Sequence, residues 1–81
     1  MMEAKVSVRD LHYEPDQANR EKACMKVLIV SRDQNFNFDL FFQLRDQVGS
    51  IDETLEEGRL CLIDLFRAAL LDLEEGELRA E

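Results

Sequence analysis

The chain has 81 residues, a formal net charge of −8, 46% hydrophobic residues and 35% charged residues. This length allows one small domain over residues 1–81, and the composition is too apolar for a disordered chain. No apolar run approaches the roughly 18 residues that a membrane span needs, and the first residues lack the apolar core of a signal peptide. We therefore predict a single cytoplasmic domain, without membrane contact, whose two cysteines stay reduced.

The negative charge is unevenly distributed along the chain. Residues 1–45 contain seven acidic and seven basic side chains, whereas residues 46–81 contain eleven acidic and three basic ones. Such an acidic surface repels the phosphates of nucleic acids, so we predict no direct nucleic-acid binding. The same surface would attract a basic protein partner. The alternative is that the charge only keeps a small protein in solution.

Two strands are predicted in the first third of the chain. Residues 4–9 alternate between apolar and polar side chains, which predicts a strand over about 4–13. Pro15 should end it, because proline has no N–H to donate to a neighbouring strand. A second strand is predicted over about 22–31, where both faces are largely apolar, as is typical of a central strand.

The strongest single pattern predicts a third strand over about 36–45. Large apolar side chains occupy every second position there, at Phe36, Phe38, Leu40, Phe42 and Leu44. Period 2 places all five on one face of a strand. A helix over 38–48 is the competing interpretation, but the aromatic residues and the alternation favour a strand. Short links between the strands predict an antiparallel meander with the second strand in the middle.

A long helix is predicted over about 51–75. Ser50 and Glu53 have the spacing of a capping box at its start, and Gly76 should end it. Gly58 lies inside the helix, where close packing against the sheet would explain it. The apolar stripe expected to face the sheet contains Ile51, Leu55, Leu62, Ile63, Leu65, Phe66, Ala69, Leu70 and Leu73. The predicted fold class is therefore α+β, with one amphipathic helix packed on one face of a three-stranded sheet.

The residue types that usually carry chemistry are scarce. His12, Cys24 and Cys61 are the only nitrogen or sulfur ligands of interest, and no pair has the short spacing of a structural zinc site. The sequence contains no glycine-rich phosphate loop and no G-x-S-x-G motif. We therefore predict no catalytic residue, no metal site and no cofactor, and a protein that is not an enzyme.

Self-association is the function that the apolar pattern favours. One helix covers one face of a three-stranded sheet, so the second face and the outer side of the helix should stay exposed. A contiguous exposed apolar patch usually marks an interface. The residues predicted to form a homodimer are Leu28, Val30, Phe41, Leu60 and Leu71.

The acidic helix suggests a more specific hypothesis. Its carboxylates would bind a basic, nucleic-acid-binding surface of a target protein, as a small inhibitor or regulator of phage or bacterial type would do. The candidate partner-binding acids are Glu53, Glu56, Glu57, Asp64, Glu74, Glu75 and Glu77. Two alternatives stay open: a structural subunit of a larger assembly held by apolar contacts, and, more remotely, an enzyme whose site lies between subunits.

Overall fold

The computed structural model of the protein describes residues 2–15, 17–18, 20–44 and 49–80. Three strands precede one helix: β1, Ala4–Pro15; β2, Glu21–Ser31; β3, Asn37–Gln43; and α1, Ile51–Glu75. Both strand pairs are antiparallel, and β2 lies between β1 and β3. The predicted α+β fold, a meander followed by a C-terminal helix, is confirmed.

The strand boundaries differ slightly from the prediction. β1 includes Pro15 as its last residue, at the end of an edge strand, where its missing N–H disturbs the ladder least. β3 is a strand over Asn37–Gln43, which confirms the strand interpretation against the helical one for those residues. The remainder of the competing prediction, residues 45–48, lies outside the described residues, as does the predicted strand end at 45.

One face of the sheet carries the core. Met25, Val27 and Ile29 of β2 are buried on this face, which we call the helix side. The strand register aligns Leu11 and Phe42 with Met25, Val8 and Leu40 with Val27, and Val6 and Phe38 with Ile29. Every one of these positions is apolar, so three parallel rows of apolar side chains cross the helix side.

An irregularity in β1 makes this alignment possible. Val8 and Leu11 are three positions apart, so a regular strand would place them on opposite faces. The register shifts between Val8 and Asp10, and Arg9 is the extra residue of a β-bulge. Leu11 therefore joins Val8 on the helix side, while His12 points to the opposite face.

The helix begins with a well-defined cap and docks near its start. The Glu53 N–H donates to the Ser50 hydroxyl oxygen at 3.1 Å, and the Ser50 hydroxyl donates to the Glu53 carboxylate at 3.1 Å. Gly58 lies directly against Met25: a Cβ at Gly58 would be only 2.6 Å from Met25 Cε. The predicted reason for this glycine, close packing against the sheet, is confirmed.

The expectation that the whole apolar stripe faces the sheet needs correction. Leu62 is the last helical residue packed against the core, and every residue from 64 to 75 is exposed. The helix is about 37 Å long and crosses the sheet at Gly58, within its first third, so about 20 Å of helix follows Leu62. The stripe members that the sheet leaves exposed are Ile51, Leu55, Leu65, Phe66, Ala69, Leu70 and Leu73.

Within the described residues, no helix combines the length and the apolar character that crossing a bilayer requires.

The close contact at Gly58 gives a stability prediction. Gly58→Leu should lower the free energy of unfolding by about 1–3 kcal/mol through overpacking, and Met25→Ala should lower it by about 2–5 kcal/mol through a cavity. The double variant should lose clearly less than the sum, because the larger side chain at 58 fills the space vacated at 25. Urea denaturation followed by circular dichroism measures all three.

Gly49→Leu is the matched control, because a Cβ at Gly49 would meet nothing within 4 Å. It should change the free energy of unfolding by less than about 0.5 kcal/mol. Additive losses in the double variant would show that Gly58 and Met25 do not form the docking contact.

Candidate functional site

The C-terminal half of α1 presents an apolar surface that the chain does not cover. Leu65 lines a shallow cleft with Phe42 and Gln43, and every residue of the helix beyond it is exposed. Leu70 is 55% exposed, a high value for a large aliphatic side chain. We call this surface the free helix stripe, and it consists of Leu65, Phe66, Ala69, Leu70 and Leu73.

A second uncovered apolar surface lies on the helix side of the sheet. α1 docks over the row that contains Met25, and beyond this row β1 and β3 place half-exposed apolar side chains on either side of the buried Val27 and Ile29. Phe38, beside the buried Ile29, is 48% exposed. We call this surface the open sheet end, and it consists of Val6, Val8, Phe36 and Phe38.

The global dimensions agree with these two exposed surfaces. The accessible surface is 6706 Å², against about 5000 Å² for a compact protein of this mass. The radius of gyration is 14.7 Å, against about 12 Å for a compact chain of this length. The chain therefore exposes about 1700 Å² more surface than a compact monomer would.

The residues predicted for self-association do not form one patch. Leu28 and Val30 are half-buried on the face opposite α1, and Phe41 is exposed on that face. Polar partners flank them there, since Phe41 pairs with Lys26 and Leu28 pairs with Asp39. The other two predicted residues, Leu60 and Leu71, are exposed on the helix and are separated along its axis by about 16 Å.

The predicted acidic residues lie along α1 and, for Glu77, just beyond its end. Glu53 serves the helix cap, and Glu56 accepts from Arg59 at 2.7 Å, a hydrogen bond that lowers the pKa of Glu56. Glu57 is half-buried and accepts from the Cys61 thiol at 3.5 Å. The remaining predicted acids, Asp64, Glu74, Glu75 and Glu77, are exposed. A basic protein partner stays a prediction.

Four titratable side chains meet on the sheet face opposite α1. His12 lies between two carboxylates: its Nδ1 is 2.7 Å from Asp10 Oδ2 and its Nε2 is 2.9 Å from Glu14 Oε1. Cys24 is the cross-strand partner of His12, and its thiol donates to Glu14 Oε2 at 3.7 Å. The His12 ring stacks on Phe41, with ring centroids 5.9 Å apart. Apart from Phe41, we call this group the His12 cluster.

Two pKa values in the His12 cluster are displaced from their ordinary range. The hydrogen bond to Glu14, followed by the one to Asp10, raises the pKa of His12, because both carboxylates favour the imidazolium. Burial, followed by the charge of Glu14, raises the pKa of the Cys24 thiol. A thiol with a raised pKa is a poor nucleophile at neutral pH, so this pair lacks the activation that cysteine catalysis uses.

The sequence could not show that these groups meet. His12 and Cys24 are twelve positions apart, and only the bulge at Arg9 and the register of β1 on β2 bring them together. The sequence pattern also did not reveal that the free helix stripe is exposed, because helical periodicity does not report where the helix crosses the sheet.

No protein-family model, no curated protein and no solved structure matches this chain.

The environment of His12 gives a prediction on pH. Because the pKa of His12 in the folded protein lies above the 6.5 of an unperturbed histidine, its stabilising effect is complete below about pH 6.5 and disappears as the pH rises through the folded pKa. The imidazole resonances in an NMR titration should therefore give a pKa above 6.5. The assignment is direct, since the chain has one histidine.

Replacing both carboxylates, in Asp10→Asn/Glu14→Gln, should return this pKa towards 6.5. In the His12→Gln variant, the stability difference from the wild type should shrink between pH 6 and pH 8.5. A wild-type pKa at or below 6.5 would contradict the paired geometry.

Proposed function

We propose that this protein is a non-enzymatic interaction module that forms a homodimer through the helix side. One observation carries the proposal: a single copy leaves both the free helix stripe and the open sheet end exposed. These surfaces differ from the predicted interface residues, because α1 crosses the sheet near its start instead of covering it.

The two surfaces differ in form. One is a ridge of side chains along a helix, and the other is the flat half of a sheet face that already accepts the same helix at Met25. In a twofold dimer, the free helix stripe of each copy would cover the open sheet end of the other. Both exposed surfaces would then be buried by one kind of contact, made twice.

The size of the exposed surface suits a stable dimer. A typical specific interface buries about 800 Å² on each partner. The excess of about 1700 Å² over a compact monomer, on an accessible surface of 6706 Å², exceeds that requirement. Burial of the apolar part of this surface would supply the main driving force for association.

The charges of α1 do not oppose this contact. At 100° per residue, Asp64, Arg67 and Glu75 project from the side of α1 opposite the free helix stripe. The stripe itself contains no charged residue, and its burial would leave no unpaired charge within it. Asp72 projects at the edge of the stripe beside Leu65, and Arg79 donates to its carboxylate at 3.5 Å.

A cytoplasmic location is part of the proposal. Cys24 and Cys61 are both free thiols, which suits a reducing compartment. The more specific role as an acidic inhibitor of a basic target, and the alternative as a subunit of a larger assembly, stay predictions.

Light scattering after size exclusion tests the dimer. The wild type should have twice the monomer mass, and Leu70→Lys and Phe38→Lys should each shift the protein to the monomer mass, because each places a charge in the apolar contact. Circular dichroism checks that the variants stay folded. If Phe38→Lys unfolds, Val6→Lys tests the same sheet end from β1.

Two control variants add the same charge elsewhere. Ala68→Lys lies on the side of α1 away from the stripe, and Phe41→Lys lies on the opposite sheet face, so both should remain dimeric. A monomeric wild type at high micromolar concentration would overturn the proposal. Dissociation by Phe41→Lys but not by Phe38→Lys would instead place the interface on the face first predicted.

A further inference from the structure

The His12 cluster has the composition and arrangement of a metal site. Behind the bulge at Arg9, the side chains of Asp10, His12 and Glu14 follow one another at every second position on one face of β1. Cys24 lies opposite His12 on the neighbouring strand. An imidazole, a thiol and a carboxylate therefore converge from two adjacent strands whose relative position the sheet fixes.

The donor atoms are already close together. One donor atom from each of His12, Glu14 and Cys24 lies within 4.8 Å of the other two. With metal–ligand bonds of about 2.0–2.3 Å, tetrahedral geometry places ligand atoms roughly 3.3–3.8 Å apart. The observed upper limit of 4.8 Å exceeds that spacing by about 1.0–1.5 Å.

We propose that His12, Glu14 and Cys24 bind a divalent transition-metal ion of the zinc type. The three donors are nitrogen, oxygen and sulfur, a set that Zn²⁺ and Co²⁺ accept and that Mg²⁺ and Ca²⁺, which prefer oxygen alone, do not. The fourth position of a tetrahedral ion is left to water, since His12 and Glu14 lie at the surface.

The two nitrogens of His12 have separate roles in this site. Nε2 lies beside Glu14 Oε1 and is the nitrogen that binds the ion. Nδ1 lies 2.7 Å from Asp10 Oδ2, so its N–H donates to that carboxylate and holds the ring in place. A carboxylate behind a metal-binding histidine is a common supporting arrangement. Asp10 is therefore a positioning residue and not a ligand.

Metal binding requires that protons leave. The Cys24 thiol releases its proton to solvent as the sulfur–metal bond forms, and Nε2 of His12 must be unprotonated to donate its lone pair. The carboxylates of Glu14 and Asp10, which favour the imidazolium in the metal-free protein, then face a divalent cation in place of that proton. No oxidation or reduction takes part, and binding should strengthen as the pH rises from 6 to 8.

Titration with Co²⁺ provides a direct readout. The wild type should develop a thiolate-to-cobalt charge-transfer band that saturates at one ion per chain and disappears when Zn²⁺ is added. Cys24→Ser should abolish the band. Cys61→Ser, the matched control on α1, should keep it. The monomeric Leu70→Lys variant should bind as the wild type does, because all ligands come from one chain, so this result is independent of the proposed dimer.

The remaining variants separate ligands from the positioning residue. His12→Gln should weaken Co²⁺ binding at least tenfold, and Asp10→Asn should weaken it about 10- to 100-fold while keeping the charge-transfer band. Since Cys24 is buried, the folding of Cys24→Ser is checked by circular dichroism. Thermal stability gives a second readout: Zn²⁺ should raise the melting temperature of the wild type and not that of His12→Gln, whose replaced side chain lies at the surface. No band in the wild type, or a band lost in Cys61→Ser and kept in Cys24→Ser, would overturn the site.

Discussion

The contact between Gly58 and Met25 determines how the rest of the molecule is arranged. A glycine in the middle of a helix costs up to about 1 kcal/mol relative to alanine, and here that cost allows the helix backbone to lie directly on a buried methionine. Because this crossing occurs eight residues into a helix of 25, the docked part is short and the undocked part is long. Both the open sheet end and the free helix stripe result from that single position.

The sheet depends in the same way on one inserted residue. Arg9 changes the phase of β1, so that Leu11 completes the apolar row of Met25 and Phe42 on one face. The same phase change places His12 opposite Cys24 on the other face. One bulge therefore serves the core and assembles the His12 cluster, and a regular strand would have lost both.

Local patterns in the sequence predicted the elements and their order well. The alternation over 36–44, the spacing of Ser50 and Glu53, and the glycine at 58 each report a physical requirement that acts over a few residues. The structure confirms a strand over 37–43, the helix cap at Ser50 and the close packing at Gly58. The position of the helix crossing and the strand register depend on contacts between distant residues. The helical periodicity could not show that Leu70 is exposed. The distance between His12 and Cys24 along the sequence could not show that they are neighbours in the sheet. Those long-range contacts, and not local patterns, place the free helix stripe, the open sheet end and the His12 cluster.

The exposed C-terminal half of α1 also affects the local stability of the monomer, before a dimer forms. Every residue of its last three turns is exposed, and short helical segments are only marginally stable in water by themselves. The last turn contains no basic side chain, and Glu74 and Glu75 there oppose the negative end of the helix dipole. Amide protons in this segment should therefore exchange with solvent much faster than those of β2. In dilute solution, fraying and proteolytic cleavage of the chain would begin in this C-terminal half of α1.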